Sequence, residues 1–317
     1  MTPRRDADAT TRAGAFAPTG QVSAAGEISE DLSGSTCATA QIHPMSAPRT
    51  LEPTVSIVMP AKNEARNLPH VFAKLPADCE VILVDGTSTD ATVSEARRLR
   101  PDITVIGQTR RGKGSALACG FAAAAGDFIV MIDADGSNDP GEIPNFVSAL
   151  KEGADFAKGS RFLPGGGSLD ISIVRRFGNF WLNKIVNVLY GTRYTDLCYG
   201  YNAFRRECLE VMALDAGDAD ALDDEIMKWG DGFEVETLIN VRIAKAGLRV
   251  TEVPSLETHR RFGASNLNSF SDGLRVLRTI HAERSRSARR TSAESTWPQR
   301  DAGTSWSVLS TVSEEAS

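Results

Sequence analysis

The chain is poor in cysteine, has no long apolar run and carries no surplus of basic residues. Its five cysteines, Cys37, Cys79, Cys119, Cys198 and Cys208, are odd in number and scattered without metal-ligand spacing. That excludes a disulfide framework or a cysteine-built zinc module and implies a reducing compartment. No stretch of about 20 predominantly apolar residues occurs, so no spanning segment is expected. No secretory signal is expected either. Arg4, Arg5 and Arg12 are accompanied by Asp6, Asp8, Glu27, Glu30 and Asp31, unlike an acid-poor transit peptide. A formal net charge of -6 and a pI near 5.4 argue against nucleic acid as the main partner. Internal repeats are not evident. A cytoplasmic location follows from these absences, with local basic groups such as Arg284, Arg286, Arg289 and Arg290 open either to anionic lipid or to solvent.

Residues 1–50 are rich in Ala, Thr, Ser, Gly and Pro without periodicity, and residues 285–317 are similar. Both ends are expected to be disordered. The intervening 51–284 is ample for one α/β domain.

Within it, short β-branched runs alternate with helical patterns. Val55 to Pro60 reads as a strand, followed by a loop and a helix from Asn67 to Lys74. Glu80 to Val84 is a second strand, ending in the polar turn Asp85 to Asp90, with a helix-like segment through Arg98. Ile103 to Ile106 leads through Arg110-Arg111-Gly112-Lys113-Gly114 to an alanine-rich helix over Ser115 to Ala125. Phe128 to Ile132 follows as a fourth strand. This alternation predicts a mostly parallel sheet with helices on both faces, whose ligands bind beyond the carboxyl ends of the strands. Further strands are expected at Asp155 to Lys158 and Leu248 to Val253, and a helix at Leu267 to His281.

The fourth strand ends in Asp133-Ala134-Asp135. Two carboxylates at i and i+2 where a buried strand opens into a loop can both direct oxygens at one hard dication, leaving its other positions to water and phosphate. An isolated pair of this kind is also a common solvated turn. The company decides, because each polar cluster named above lies at a strand's carboxyl end.

Taken together, these residues resemble glycosyltransferase family 2, in the branch typified by dolichol-phosphate mannose synthase, over roughly Pro53 to Arg284. Val58 to Glu64 is similar to the family's opening motif, Val84 to Asp90 to its base-binding turn, and Asp133-Ala134-Asp135 to its metal motif. Gly159 to Phe162, Asp196 to Arg206 and Gly232 to Glu236 match the branch in order. The resemblance implies a GT-A (Rossmann-like) fold that takes a sugar from a nucleoside diphosphate donor, UDP- or GDP-linked, often to a polyprenyl phosphate. It implies that Pro60, Ala61 and Glu64 line the base and ribose site, that Asp85 accepts hydrogen bonds there, that Asp133 and Ala134 meet the nucleotide sugar, and that Asp133 and Asp135 hold Mg or Mn. Lys113, between two glycines, suits the phosphates, a surface lysine being the alternative.

Departures from the family pattern are also legible. Gly86 stands where many members carry a second aspartate, and Ser137 stands where the branch places a glutamine near the metal. His259, in a late loop, is a candidate third ligand, against simple exposure beside Arg260 and Arg261. Arg161, Arg175, Arg176 and Arg260 take the places of the branch's acceptor-phosphate arginines, guanidinium forks being suited to a phosphate monoester. Asn266 replaces the lysine expected after the Gly-x-Ser element.

Ile171 to Tyr190 is amphipathic and carries Arg175, Arg176 and Lys184. It can lie in a membrane interface with Phe180 and Trp181 among headgroups, or cover the sheet. For proton chemistry, a phosphate acceptor is already anionic, whereas a hydroxyl needs a base. Asp196, Glu234 and Glu236 are the carboxylates to consider, and the two glutamates, two apart, face different ways on a helix. Asp196 is placed nearest the acceptor, so Asp135, Arg161 and Asp196 are the expected catalytic set. Transfer to a soluble hydroxyl acceptor, such as a glycan or a small phosphorylated hydroxy acid, remains open. So do a nucleotidyltransferase and a non-catalytic sugar-nucleotide-binding module.

Overall fold

The structure, a computed structural model, describes residues 52–217, 227–263, 269–286 and 306–308. From the amino end, β1 (Val55–Ala61), α1 (Leu68–Phe72), β2 (Glu80–Asp85), α2 (Thr92–Leu99), β3 (Thr104–Gly107), α3 (Lys113–Ala123) and β4 (Phe128–Met131) follow the alternation read from the sequence. Then come α4 (Ile143–Lys151), β5 (Phe156–Ser160), β6 (Gly167–Ser168), α5 (Ile173–Tyr190), β7 (Asn202–Arg205) and α6 (Cys208–Met212). The order closes with α7 (Val235–Lys245), β8 (Val250–Pro254), β9 (Leu256–Glu257), α8 (Ser269–Ser285) and β10 (Trp306–Val308).

Eight strands form one sheet in the order β10-β8-β5-β7-β4-β1-β2-β3, and β6 pairs with β9 in a separate ribbon. All neighbours in the large sheet run parallel except β7, which is antiparallel to both β4 and β5. Strands covered on both faces read as near-continuous apolar runs, as Ile57 to Ala61 of β1, Val81 to Val84 of β2 and all of β4 do. Alternate side chains then feed two separate cores. Ile57, Met59, Leu83 and Val130 pack in one with Leu68, Phe146 and Leu150 of α1 and α4. Val58, Ile82, Val84 and Ile129 pack in the other with Leu117, Phe121 and Ile239 of α3 and α7. Each such side chain, taken fully from water, contributes roughly 1.5–3 kcal/mol.

Local chemistry fixes where two site-forming helices begin. The Ser172 hydroxyl accepts the Arg175 N–H at 3.3 Å and caps α5, which stops at Gly191 in the left-handed conformation. Helix α3 starts at Lys113, two residues earlier than the alanine run suggests. A Cβ on Gly114 would lie 1.8 Å from the Gly230 carbonyl oxygen, and one on Gly112, at φ +124°, 2.0 Å from that of Asp231. Only glycine lets the 230–232 loop close on the start of α3.

The helix expected over Asn67 to Lys74 is the shorter α1, and the strand expected at Leu248 to Val253 is β8. The helix read from Leu267 appears as α8, residues 267–268 lying outside the described set. Within the tail read as disordered, Trp306–Val308 instead pairs with β8 as an edge strand. Residues 1–50 and the Gly-x-Ser element beyond Gly263, with Asn266, also lie outside the described residues.

Candidate active site

Two cavities open at the carboxyl ends of the strands and meet at Asp133 and Asp135. The first, of about 500 Å³, is lined by Pro60 and Ala61 from the end of β1, Glu64 from the following loop, Gly86 after β2, and Lys113 at the start of α3. Ala134 lines it too. The second, of about 590 Å³, lies against α5 and is lined by Arg161, Arg175, Tyr199, Glu257 and His259, with an apolar wall. Lys113, Asp133, Asp135, Phe233 and Arg260 border both.

The junction is a lattice of opposite charges. Lys113 Nζ lies 2.7 Å from Asp133 Oδ1 and 2.9 Å from Glu236 Oε1. Burial alone would lower the Lys113 pKa, but the two carboxylates outweigh it and hold the ammonium charged far above the ordinary range. Arg260 bridges the cavities in the same manner, with Nη2 2.8 Å from Asp135 Oδ2 and Nη1 3.2 Å from Glu64 Oε1. Burial raises the Glu64 pKa, partly offset by the Asn67 amide and Arg260. Ser137 donates its N–H and its hydroxyl to Asp135 Oδ1, at 2.9 and 2.7 Å. Asn138 accepts the Asp133 N–H at 3.0 Å and donates to the Tyr199 hydroxyl at 2.9 Å. The loop after β4 thereby holds the Asp135 carboxylate and the Asp133 backbone at the junction.

Among the described residues, no three His, Cys, Asp or Glu side chains converge as a ready-made metal cluster. Asp133 and Asp135 nonetheless fit a hard dication such as Mg or Mn. They offer only oxygen, they border a cavity with room for phosphate and water, and their negative charge is concentrated at one junction. His259 is mostly exposed and faces Asp170 Oδ1 at 3.3 Å. Ser137 reaches Asp135 itself.

In the second cavity, Arg161 Nε and Nη2 donate to the two oxygens of Asp196 at 2.7 and 3.0 Å, and Nη1 donates to Glu257 at 2.9 Å. The guanidinium lies 4.8 Å from the Tyr199 ring centre. Burial opposes its charge, but Asp196 and Glu257 more than compensate. Arg175 lines this cavity, whereas Arg176 does not; its guanidinium lies 5.6 Å from the Phe162 ring. Successive helix residues point about 100° apart, so the two arginines cannot serve one site.

Asp196, Asp85 and Glu234 line neither cavity. Asp196 is fully buried beneath Arg161 rather than at the cavity wall. Asp85 stands behind Gly86 and accepts the Ser88 N–H at 3.1 Å. Glu234 turns away and accepts the Gly230 N–H at 3.1 Å, while Glu236 faces Lys113. Glu257, Tyr199 and Asn138 were missed. No motif marks Glu257; only the β6–β9 pairing carries it to Arg161.

Lys158 is fully buried on β5 beside this cluster, its ammonium donating to the carbonyls of Tyr199 at 2.8 Å and Gly159 at 3.2 Å. Burial, only partly offset by Asp196 and Glu252, lowers its pKa. A lysine with a depressed folded pKa binds fewer protons folded than unfolded, so stability rises with pH from that folded value toward about 10.4. Urea melts of the parent and Lys158→Met should show the parent gaining on the variant across that alkaline range. Parallel pH profiles would mean that the fold tolerates the charge without cost.

The chain is similar to several known proteins. The family model described as Glycosyl transferase family 2 matches residues 56–212. The chain is 32% identical over 234 residues to the polyprenol monophosphomannose synthase of Mycolicibacterium smegmatis, covering 70% of this chain and 84% of that protein. It is 30% identical to the undecaprenyl-phosphate mannosyltransferase of Micrococcus luteus, covering 68% and 87%. Among solved structures, glucosyl-3-phosphoglycerate synthase from Mycobacterium tuberculosis, in complex with Mn2+, UDP and phosphoglyceric acid, superposes with a TM-score of 0.56 at 21% identity. The match covers 75% of this chain and 80% of that one.

Proposed function

Because the chain belongs to glycosyl transferase family 2 and is a glycosyltransferase of GT-A fold, we propose that it moves a sugar from a UDP- or GDP-sugar to a polyprenyl phosphate. Transfer would take place at the cytoplasmic face of a membrane. Among the described residues, no helix is long and apolar enough to cross one. Family membership sets aside the nucleotidyltransferase and the non-catalytic module.

The observation that carries the acceptor assignment is the make-up of the second cavity. Arg161, Arg175 and Arg260 stand at its charged end, while Ile171, Val174, Phe177 and Leu182 supply an apolar wall. That pairing suits a phosphate on a hydrocarbon chain. The donor's base and ribose occupy the first cavity against Pro60, Ala61 and Glu64, and its diphosphate reaches Lys113 at the junction. Asp133 and Asp135 would hold Mg or Mn there, and such an ion would supply positive charge against the departing nucleoside diphosphate. An acceptor phosphate oxygen, already anionic, attacks the anomeric carbon as the bond to the diphosphate breaks, and no protein base is required. Arg161, fixed by Asp196 and Glu257, orients that phosphate, and proximity supplies much of the rate.

A second reading, a soluble phosphorylated acceptor, draws support from the solved relative bound to phosphoglyceric acid. The test supplies Mn or Mg with UDP-glucose or GDP-mannose and either undecaprenyl phosphate or 3-phosphoglycerate. A sugar-lipid product supports the favoured reading, and product on phosphoglycerate alone replaces it with the second.

A further inference from the structure

Helix α5 is built inside out. Its buried residues are Asn179, Asn183 and Val186. The asparagines recur every fourth residue on one face, and each uses both ends of its amide on the segment that follows the helix. Asn179 accepts the Cys198 N–H at 3.2 Å and donates to Asp196 at 3.1 Å. Asn183 accepts the Leu197 N–H and donates to the Thr195 carbonyl, both at 2.7 Å. Asn187 repeats the pattern on Tyr194, at 2.8 and 2.9 Å. This ladder of amides fixes the helix and ends at the carboxylate that holds Arg161.

Val186, with Leu182, Ile185 and Tyr190, packs against the core, and the other apolar residues of α5 are left for something else. At about 100° per residue, Ile173, Val174, Phe177, Phe180, Trp181 and Val188 fall within roughly 120° on the side opposite the buried Asn179 and Val186. Ile173 is 88% exposed, Val188 83%, Phe177 64% and Trp181 52%. An apolar face of this size marks an interaction surface.

Its charge says what covers it. From Ile171 to Tyr190 the chain has three cations and no acidic residue. Lys184 emerges in the middle of the apolar arc, its ammonium 5.7 Å from the Phe180 ring centre, and Arg176 flanks the arc. Lysine is depleted from the centres of protein interfaces. On a helix lying in a bilayer surface, it buries its stem and reaches the phosphates. The arc is also continuous with the second cavity, since Val174 and Phe177 belong to both.

The geometry points to α5 as the docking surface for an anionic lipid bilayer, its apolar arc in the acyl boundary and the mouth of the second cavity at headgroup level. This inference rests on the lipid-phosphate reading above and adds where and how the enzyme meets the lipid. A phosphate on a membrane-dissolved isoprenoid would then enter the cavity without leaving the bilayer surface.

The test uses the full chain and the variant Ile173→Ser/Phe180→Ser/Trp181→Ser, whose altered residues do not line the cavity. Both are sedimented with vesicles of phosphatidylcholine and of a phosphatidylcholine–phosphatidylglycerol mixture. The parent should partition into the mixed vesicles, less so as salt rises, and the variant should bind on the order of 100-fold more weakly. Absence of parent binding, or equal binding by parent and variant, overturns the inference. So does a parent dimer in light scattering that the variant converts to monomer, because a second copy would then cover the arc. Transfer to a short-chain isoprenyl phosphate free in solution separates the two levels. If it persists while vesicle binding fails, docking alone is lost. If it is absent while vesicle binding holds, the acceptor reading is lost.

Discussion

Asp135→Ala is expected to lower sugar transfer by on the order of 10³-fold, with little loss of fold. The side chain borders both cavities at their junction, where charge on the departing diphosphate must be met, and groups aimed at developing charge contribute several kcal/mol to a barrier. Its partners are local: Ser137 of the same turn and Arg260 from the loop after β9. Removing it leaves Arg260 with Glu64 as its remaining carboxylate at the junction. Metal-dependent binding of nucleoside diphosphate, followed by calorimetry with and without Mn, should weaken in parallel with turnover, while the melting temperature moves by a few degrees. Turnover within tenfold of the parent would remove Asp135 from the reaction. Asp135→Asn keeps the shape and the bonds from Ser137 but halves the charge on the pair, so it should fall between parent and alanine variant.

The sheet was legible because both-face burial forces its strands to be apolar and ends them in polar turns, so Val55, Glu80 and Phe128 each announce a strand. The carboxyl-end rule then places Glu64, Lys113 and Asp133 together before any coordinates are known. β7 was not legible as an antiparallel insertion, because Asn202-Ala203-Phe204-Arg205 has neither length nor alternation, and its place between β4 and β5 depends on pairing partners far along the chain. The direction of α5 was also hidden. Periodicity shows that a helix has two faces but not which one turns inward, and apolar-inside is the ordinary choice. The asparagines at 179, 183 and 187 were the available signal, three amides at every fourth residue along one side of the helix. The burial of Asp196 was hidden for a similar reason: a carboxylate near a phosphate site suggests chemistry, whereas a buried one needs a cation, and Arg161 is that cation.

Asp196→Ala should cost more stability than any exposed-site change, about 3–5 kcal/mol, because it leaves the buried Arg161 guanidinium without its bidentate partner. For a domain of this size that corresponds to a fall in melting temperature of roughly 10 °C. Asn179 loses its acceptor in the same step, so the inner face of α5 loosens beside the second cavity. Transfer should therefore fail mainly through the acceptor, with a raised KM for the phosphate and unchanged nucleotide binding in the first cavity. Arg161→Met/Asp196→Leu distinguishes positioning from folding. Replacing both members of a buried ion pair by apolar groups is often neutral or stabilising, so the double variant should regain much of the melting temperature. It should not regain transfer, because the guanidinium that meets the phosphate is gone. If the double variant recovers stability and activity together, Asp196 and Arg161 serve only the fold, and the phosphate is held by Arg175 and Arg260 without them.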